Sequence, residues 1–306
     1  MAERANDIDV LGLGVITVDV LMRIKGLPEK GGKALAEGAA LQGGGLTATA
    51  LVAVSRLGGR ARMLGCLGRS RLAAQAEADL AAEGVDVGGI LRRDGAEPAL
   101  AVVLVDTLSG QRTIMASLEG VAYPAFEELP AGDLARARCV LIDQHGGAAG
   151  VALARAARTR GIPVVIDAEA ALPHTADLIA LASDVVVGEA FALSFTGAPD
   201  IGTALEALWR TGDHASVVIT RGARGADARS RDGAWRQDAF AVPAVDTTGC
   251  GDVFHGAFAL CRARGMPLPD AVRFASATAA LKTRCLGGRA GIPTRAEVEA
   301  LLAERR

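Results

Sequence analysis

The 306-residue sequence predicts an α/β fold: a three-layer α/β/α sandwich built on a parallel sheet, with a small β-sheet lid. Three observations lead there. Strand-like apolar runs alternate with helical ones, the signature of a parallel sheet covered by helices on both faces. Two segments break that alternation and read as strands of their own. The composition, 50% hydrophobic and 22% charged with no internal repeat or low-complexity linker, suits a single folded unit over 1–306 with the lid inserted into it.

The elements follow in order. "IDVLGLGVI" opens as a strand, and Leu46 to Leu57 has helical spacing. "ARMLGCLG" is a second strand and Leu72 to Ala82 a second helix. Further along come "CVLID", the helical stretch Val151 to Ala157, and the strands "IPVVID", "SDVVVG" and "SVVIT". The exceptions are "DVLMRIKGLPEKGGKALAEGAALQGGG", without helical period, and "ALAVVLVDTLSGQRTIMASL", two strands meeting at Ser109-Gly110-Gln111. Residues of about 17–42 and 97–119 therefore form the expected lid.

A formal net charge of -2 gives no electrostatic case for nucleic acid, so a small molecule is the expected partner. "MAERANDIDV" is charged ahead of its first apolar run and no apolar stretch approaches membrane-spanning length, which points to a cytoplasmic protein with no membrane partner. Cys66, Cys139, Cys250, Cys261 and Cys285 form no C-x-x-C pair and read as reduced thiols.

Chemistry concentrates in "AVDTTGCGDVFHGAFAL", residues 244–260, where glycines and aspartates precede a helix marked by Val253, Phe254, Ala257, Phe258 and Leu260. First-turn amides lack internal partners and the helix dipole is positive there, so an anion is the natural guest. Gly249 and Gly251 admit phosphate oxygens to the backbone. Asp252 adds a carboxylate able to take a proton from an attacking hydroxyl, the pattern of phosphoryl transfer. The plainer reading is an N-capped helix with a dipole-matching aspartate. His255, three residues on, reads as a packing residue behind Asp252. For Cys250 the helix terminus favours thiolate and Asp252 opposes it, leaving the sign of the contest open.

Other features are weaker. Gly43-Gly44-Gly45 leads into a helix and allows close backbone approach; Asp19 is either a hydroxyl-binding carboxylate or a solvated turn residue. Thr220, Gly222 and Gly225 suit backbone contact with a nucleotide, or a tight turn. Lysine occurs only at Lys25, Lys30, Lys33 and Lys282, and Lys33 follows Gly31-Gly32 in the lid, where it could meet an anionic end of a substrate or only solvent.

In this order the motifs resemble the ribokinase, or PfkB, family of carbohydrate kinases, over nearly the whole chain. Asp246-Thr-Thr-Gly-Cys-Gly-Asp252 is similar to the family's D-T-T-G-A-G-D signature, with cysteine for alanine. The resemblance implies a ribokinase-like sandwich with a β lid, ATP as donor, Mg2+ and a sugar acceptor. It implies Asp252 as catalytic base and the amides of Gly249, Cys250 and Gly251 as anion hole. Sugar hydroxyls would meet Asp19, Gly43 and Gly44, and the nucleotide would meet Thr220, Gly222, Gly225, Gly287 and Gly288. Asp246 and Thr248 would correspond to the K+-type monovalent-cation site of some members.

Within the family, "GGGLTATALVAVSRLG", "DTTGCGDVFHGAFAL" and "VRFASATAALKTRCLGGRAGIP" are most similar to the sulfofructose kinase branch. Lys33 matches that branch's sulfonate-reading lysine, while its asparagine and arginine fall near Ala116 and His145. The magnesium-associated N-x-x-E reads Gly188-Glu189-Ala190-Phe191, leaving Glu189 as a water-mediated substitute. The G-D-D-x-x-G segment reads Gly68-Arg69-Ser70-Arg71-Leu72-Ala73, so the helix after it begins differently.

The expected activity is ATP-dependent phosphorylation of a ketose or sugar acid. Aromatic residues total 3%, too few near the lid to stack a nucleoside base. The alternatives are a non-catalytic sugar- or nucleotide-binding relative and, resting on Gly12-x-Gly14 alone, a dehydrogenase. Exposed lid edges suit a lid-mediated homodimer.

Overall fold

A computed structural model of the chain describes residues 8–108 and 112–305. β1 (Ile8–Leu13) enters a large sheet; β2 (Thr17–Ile24) and β3 (Gly38–Gly44) leave it for a smaller one. α1 (Leu46–Arg56) returns the chain to β4 (Ala61–Leu67), α2 (Arg71–Ala82) and β5 (Asp86–Arg92). β6 (Ala99–Asp106) and β7 (Arg112–Ser117) pair in the small sheet, and the turn expected at 109–111 lies outside the described residues. After α3 (Asp133–Arg136) the alternation is regular: β8 (Ala137–Asp143), α4 (Gly147–Thr159), β9 (Val164–Ala168), α5 (Thr175–Leu181), β10 (Asp184–Gly188), α6 (Glu189–Thr196), α7 (Ile201–Trp209) and β11 (Ser216–Thr220). A hairpin of β12 (Ala226–Ser230) and β13 (Gly233–Gln237) precedes α8 (Cys250–Ala263), α9 (Leu268–Lys282) and α10 (Arg295–Glu304).

The nine-stranded sheet has the order β13-β12-β11-β10-β9-β8-β1-β4-β5. It is mixed rather than wholly parallel, because β12 and β13 run antiparallel at one edge. The cause is local: β11 and β12 are joined by the short turn 221–225, and a parallel pair needs a crossover of a dozen or so residues. Along the central strands alternate side chains enter different cores. Val10, Leu141, Val165, Val186 and Val218 pack with α1, α2, α8, α9 and α10, whereas Leu11, Ile142, Ile166, Val187 and Ile219 pack with α4 to α7. Burial on both faces is why these strands read as unbroken apolar runs.

α8 is buried along most of its length, and its Phe258 is fully enclosed, worth about 1.5–3 kcal/mol relative to exposure. It crosses α1 so closely that a Cβ on Gly256 would stand 2.1 Å from the Ala50 carbonyl oxygen. α2 begins at Arg71 because the Ser70 side chain caps it, accepting from the Ala73 amide at 3.0 Å. No helix among the described residues is long and apolar enough to cross a membrane.

The small sheet has the order β3-β2-β6-β7. Its register puts Gln42, Asp19, Ala101 and Ala116 in one row on one face. Leu21, Val103 and Val105 share that face and are buried with Leu286, so it looks toward the body of the protein. The opposite face carries the row Leu41, Val20, Val102 and Met115, of which Leu41 and Met115 are exposed.

Candidate active site

The carboxyl ends of β8, β9, β10 and β11 lie side by side, the usual position of ligands in an open α/β sheet. The 246–252 segment meets them through α8, whose His255 reaches Val186 on β10. The turn before α8 is left-handed at Gly249 (φ 75°), and a Cβ there would come within 2.7 Å of the Gly288 carbonyl. Glycine is required twice over. Asp246 organises the segment: one carboxylate oxygen accepts from the Thr248 amide and hydroxyl (2.9 and 2.7 Å), the other from the Gly287 amide (2.7 Å). Burial pushes the Asp246 carboxyl up, but these bonds and nearby Lys282 outweigh it and leave it below the usual range. From β7, Arg112 reaches across to donate to the Thr247 hydroxyl at 2.5 Å.

Of the three amides expected to bind an anion, that of Cys250 turns back onto the Thr247 carbonyl at 3.2 Å. The expected contest over the Cys250 thiol is decided by a third factor, burial, which with Asp246 and Asp252 overrides Lys282 and pushes it up to about 11. Cys66, Cys139 and Cys261 are buried, whereas Cys285 is exposed.

Asp252 lies in the first turn of α8, half-buried. Burial raises its pKa well above the ordinary carboxylate value, and Asp167, Glu169, Asp19 and Asp143 raise it further. The helix terminus works against this rise rather than setting the outcome. Behind Asp252, His255 is buried with Nδ1 2.7 Å from the Gly251 carbonyl and 3.2 Å from Asp167, and Nε2 2.8 Å from the Val186 carbonyl. It braces the turn that carries Asp252, as the packing reading expected, and burial lowers its pKa.

Asp19 proves to be a strand residue on β2, not a turn residue, its carboxylate accepting from the Thr17 hydroxyl at 2.8 Å. Alternation along "TVDVLMRI" carries that signal. A Cβ on Gly44 would meet Asp19 at 2.2 Å, and one on Gly43 would meet Arg289 at 2.1 Å. Arg289, six residues before α10 and almost fully buried, donates to the Gly44 carbonyl at 2.8 Å. Its Nη1 has no hydrogen-bond partner, and neither has Nε2 of neighbouring Gln42, whose Oε1 a Cβ on Gly287 would touch at 2.6 Å. Burial brings the Arg289 pKa down to about 10, opposed by Asp19. Asp19, Gln42, Gly43, Gly44, Gly287, Gly288 and Gly249 thus form one connected neighbourhood.

Other expected residues lie apart. Lys33 is exposed in the β2–β3 connection and makes no hydrogen bond or ion pair among the described residues. Thr220 ends β11, and Gly222 and Gly225 (φ 56° and 83°) shape the turn after it. Glu189 is held by Arg221 at 3.6 Å and by Arg224, so its carboxylate is engaged within the protein. No group of three or more metal-ligating side chains is placed to hold an ion among the described residues. Ala116 is exposed on β7, and His145 stacks on Tyr123, whose hydroxyl lies 3.2 Å from its Nδ1.

Gly12 and Gly14 have structural reasons unrelated to a dinucleotide. A Cβ on Gly12 would strike Thr47 at 2.6 Å, and one on Gly14 would strike Asp143 at 2.0 Å. The buried Asp143 carboxylate accepts from the amides of Val15 (2.9 Å), Thr47 (3.2 Å) and His145 (2.9 Å), and so occupies the N-terminus of α1 itself. Sequence reasoning missed Asp143, Asp167, Arg112, Arg289 and Lys282. Rarity of lysine, the signal used for Lys33, applied equally to Lys282.

The pfkB family carbohydrate kinase model matches residues 8–295. The chain belongs to this family. It is 28% identical to ribokinase of Schizosaccharomyces pombe over 95% of this chain and 97% of that one, and 30% identical to fructokinase-1 of Zea mays over 92% and 95%. A ribokinase homologue of Agrobacterium tumefaciens superposes with TM-score 0.88 at 31% identity, covering 97% of each chain. Ribokinase of Arabidopsis thaliana, solved with ribose and ATP, shares the fold with TM-score 0.85 at 23% identity. This PfkB protein is an ATP-binding sugar kinase of ribokinase-like fold.

Proposed function

We propose that this PfkB kinase transfers the γ-phosphoryl group of ATP to a hydroxyl of a ketose or sugar acid, with Asp252 as general base. The observation that carries the reading is the meeting of Asp252 and the Gly249 and Gly251 amides, at the head of α8, with the Asp19 neighbourhood. An elevated pKa suits Asp252 to its task, since a base of ordinary carboxylate strength would hold a hydroxyl proton less well. Asp19 accepts from one sugar hydroxyl while the Gly249 and Gly251 amides and the head of α8 face the charge that grows on the transferring group.

The specificity rests on the two unpartnered donors. Arg289 Nη1 and Gln42 Nε2 call for acceptor oxygens, which a carboxylate or the vicinal hydroxyls of a ketose supply. Lys33, on the small sheet's connection, adds charge over an anionic end, and the small sheet serves as a lid. Relatives include fructokinases and a ketohexokinase. A sulfonated ketose fits Lys33, but Ala116 and the Tyr123–His145 pair stand at the other two positions that branch uses.

Thr220, Gly222 and Gly225, at the carboxyl edge of the sheet, are assigned to the nucleotide, and Gly287 and Gly288, beside Gln42 and Gly249, would meet its phosphate end. For Mg2+, the buried Oδ2 of Asp167, which has no hydrogen bond although His255 Nδ1 lies 3.2 Å away, fits with Glu169 beside it better than Glu189 does. When bound with ATP, the ion neutralises phosphate charge. The row Leu41, Val20, Val102 and Met115 supports a lid-to-lid homodimer.

An ADP-coupled screen of ketoses, aldoses, sugar acids and sulfosugars tests the reading. Turnover restricted to aldoses would overturn the specificity. Absence of turnover on every sugar, with ATP still bound, would favour a non-catalytic relative.

A further inference from the structure

A monovalent cation needs several free oxygens turned toward one point, and the side-chain acceptors of the 246–251 segment are already engaged within the protein. Both Asp246 carboxylate oxygens accept from Thr248 and Gly287, the Thr247 hydroxyl accepts from Arg112, and the Thr247 carbonyl accepts from Cys250. No buried side-chain oxygen of the segment lacks a partner among the described residues. One further acceptor, the Asp246 carbonyl, is taken by the ammonium of Lys282 at 3.3 Å. Lys282 is the last residue of α9 and has no exposed surface.

The next residue ties the same two segments together, since the Thr283 carbonyl accepts from the amides of Val245 and Asp246 at 2.7 and 3.0 Å. The lysine head is therefore fixed beneath the loop on which Gly249 and Gly251 present their amides. An ammonium is a compact point charge close to K+ in size, and this one is covalently retained. We infer that Lys282 takes the place of a monovalent cation in this kinase, supplying from within the chain the positive charge under the anion-binding loop. Burial lowers the Lys282 pKa and Arg112 adds to the fall, while Cys250, Asp246 and Asp252 favour the charged form and oppose it.

This extends the phosphotransferase reading, but its test needs no sugar. Wild type, Lys282→Met and Lys282→Gln are melted in choline chloride and in potassium chloride at equal ionic strength, about 0.15 M. Binding of a non-hydrolysable ATP analogue with Mg2+ is measured in both salts. The wild type should show equal melting temperatures and equal affinities, within twofold. Each variant should bind the analogue at least tenfold more weakly in choline and recover part of that loss in potassium, which can enter the vacated space. A tenfold potassium-specific gain in the wild type would overturn the inference, as would variants that bind normally in choline. If neither variant folds, the wild-type comparison still decides. Failure of the sugar screen leaves these readouts intact, so the two readings fail separately.

Discussion

Replacing Asp252 by asparagine keeps the shape of the side chain and removes its capacity to take a proton. A positioned general base contributes about 10²–10⁴-fold, so the loss should be about 3–5 kcal/mol of barrier. Stability should move the other way. The folded-state pKa of Asp252 is raised by burial and by Asp167, Glu169, Asp19 and Asp143, so the native chain binds its proton more tightly than the unfolded chain does. Such a group loses stability as pH rises from the unfolded pKa toward the folded one, and the cost is complete only above the folded pKa. Asparagine removes that cost, and each kcal/mol relieved should raise the melting temperature by about 2 °C. The assay pairs ADP-coupled turnover with thermal melting at pH 7.5, plus ATP-analogue titration to show that the nucleotide still binds. Turnover within tenfold of wild type would end the role of Asp252 as base. A lower melting temperature would refute the electrostatic account.

Further expectations concern single side chains. The acid limb of kcat/KM should lie above the ordinary carboxylate pKa of about 3.9 and vanish in any residual activity of Asp252→Asn; a limb at or below that value would contradict a raised pKa. Gly256→Ala, which propensity alone would favour by about 1 kcal/mol, should instead destabilise by about 3 kcal/mol or more because its Cβ meets the Ala50 carbonyl; a raised melting temperature would show that the α1–α8 crossing yields. Cys250→Ala should stay active, and iodoacetamide should inactivate it no more slowly than wild type; resistance gained by the variant would mean the Cys250 thiol is reactive despite a pKa pushed up to about 11. Arg289→Met should raise KM for the sugar at least tenfold with a smaller change in kcat, and Lys33→Ala should raise it more than twofold. An unchanged KM would remove either residue from the substrate.

Much of the fold was legible because its physics is local. Strands covered on both faces print as apolar runs, and the head of α8 prints as glycines and aspartates before a helical period. The antiparallel edge was less visible, since β12 and β13 are short and "ADARS" alternates polar and apolar residues without declaring direction. The site divides on the same principle. Asp252, Gly249 and Gly251 lie within one short motif and could be read from it. Arg289 and Gly44 are 245 positions apart and Asp143 and Thr47 are 96 apart, so nothing near either partner in the chain announces the bond. Cys250 shows a different limit: its neighbours in sequence were weighed correctly, but burial, the largest influence on the thiol, is a property of the folded surroundings.

The carboxylate of Asp143 holds Val15, just before the chain departs along β2, and Thr47, just after it returns from β3. The β2–β3 excursion into the small sheet is thus a loop stapled at its mouth by one side chain rooted in the large sheet. Swinging of that sheet over the sugar would leave the staple stationary, because the amides it grips belong to the mouth and not to the flap. Such a motion would be absorbed between Ile16 and Thr17 on the outgoing side and around Gly44 and Gly45 on the return. The strain of each opening would then fall on these two stretches and on the links before β6 and after β7, while α1, and through its crossing α8, keeps Asp252 in place.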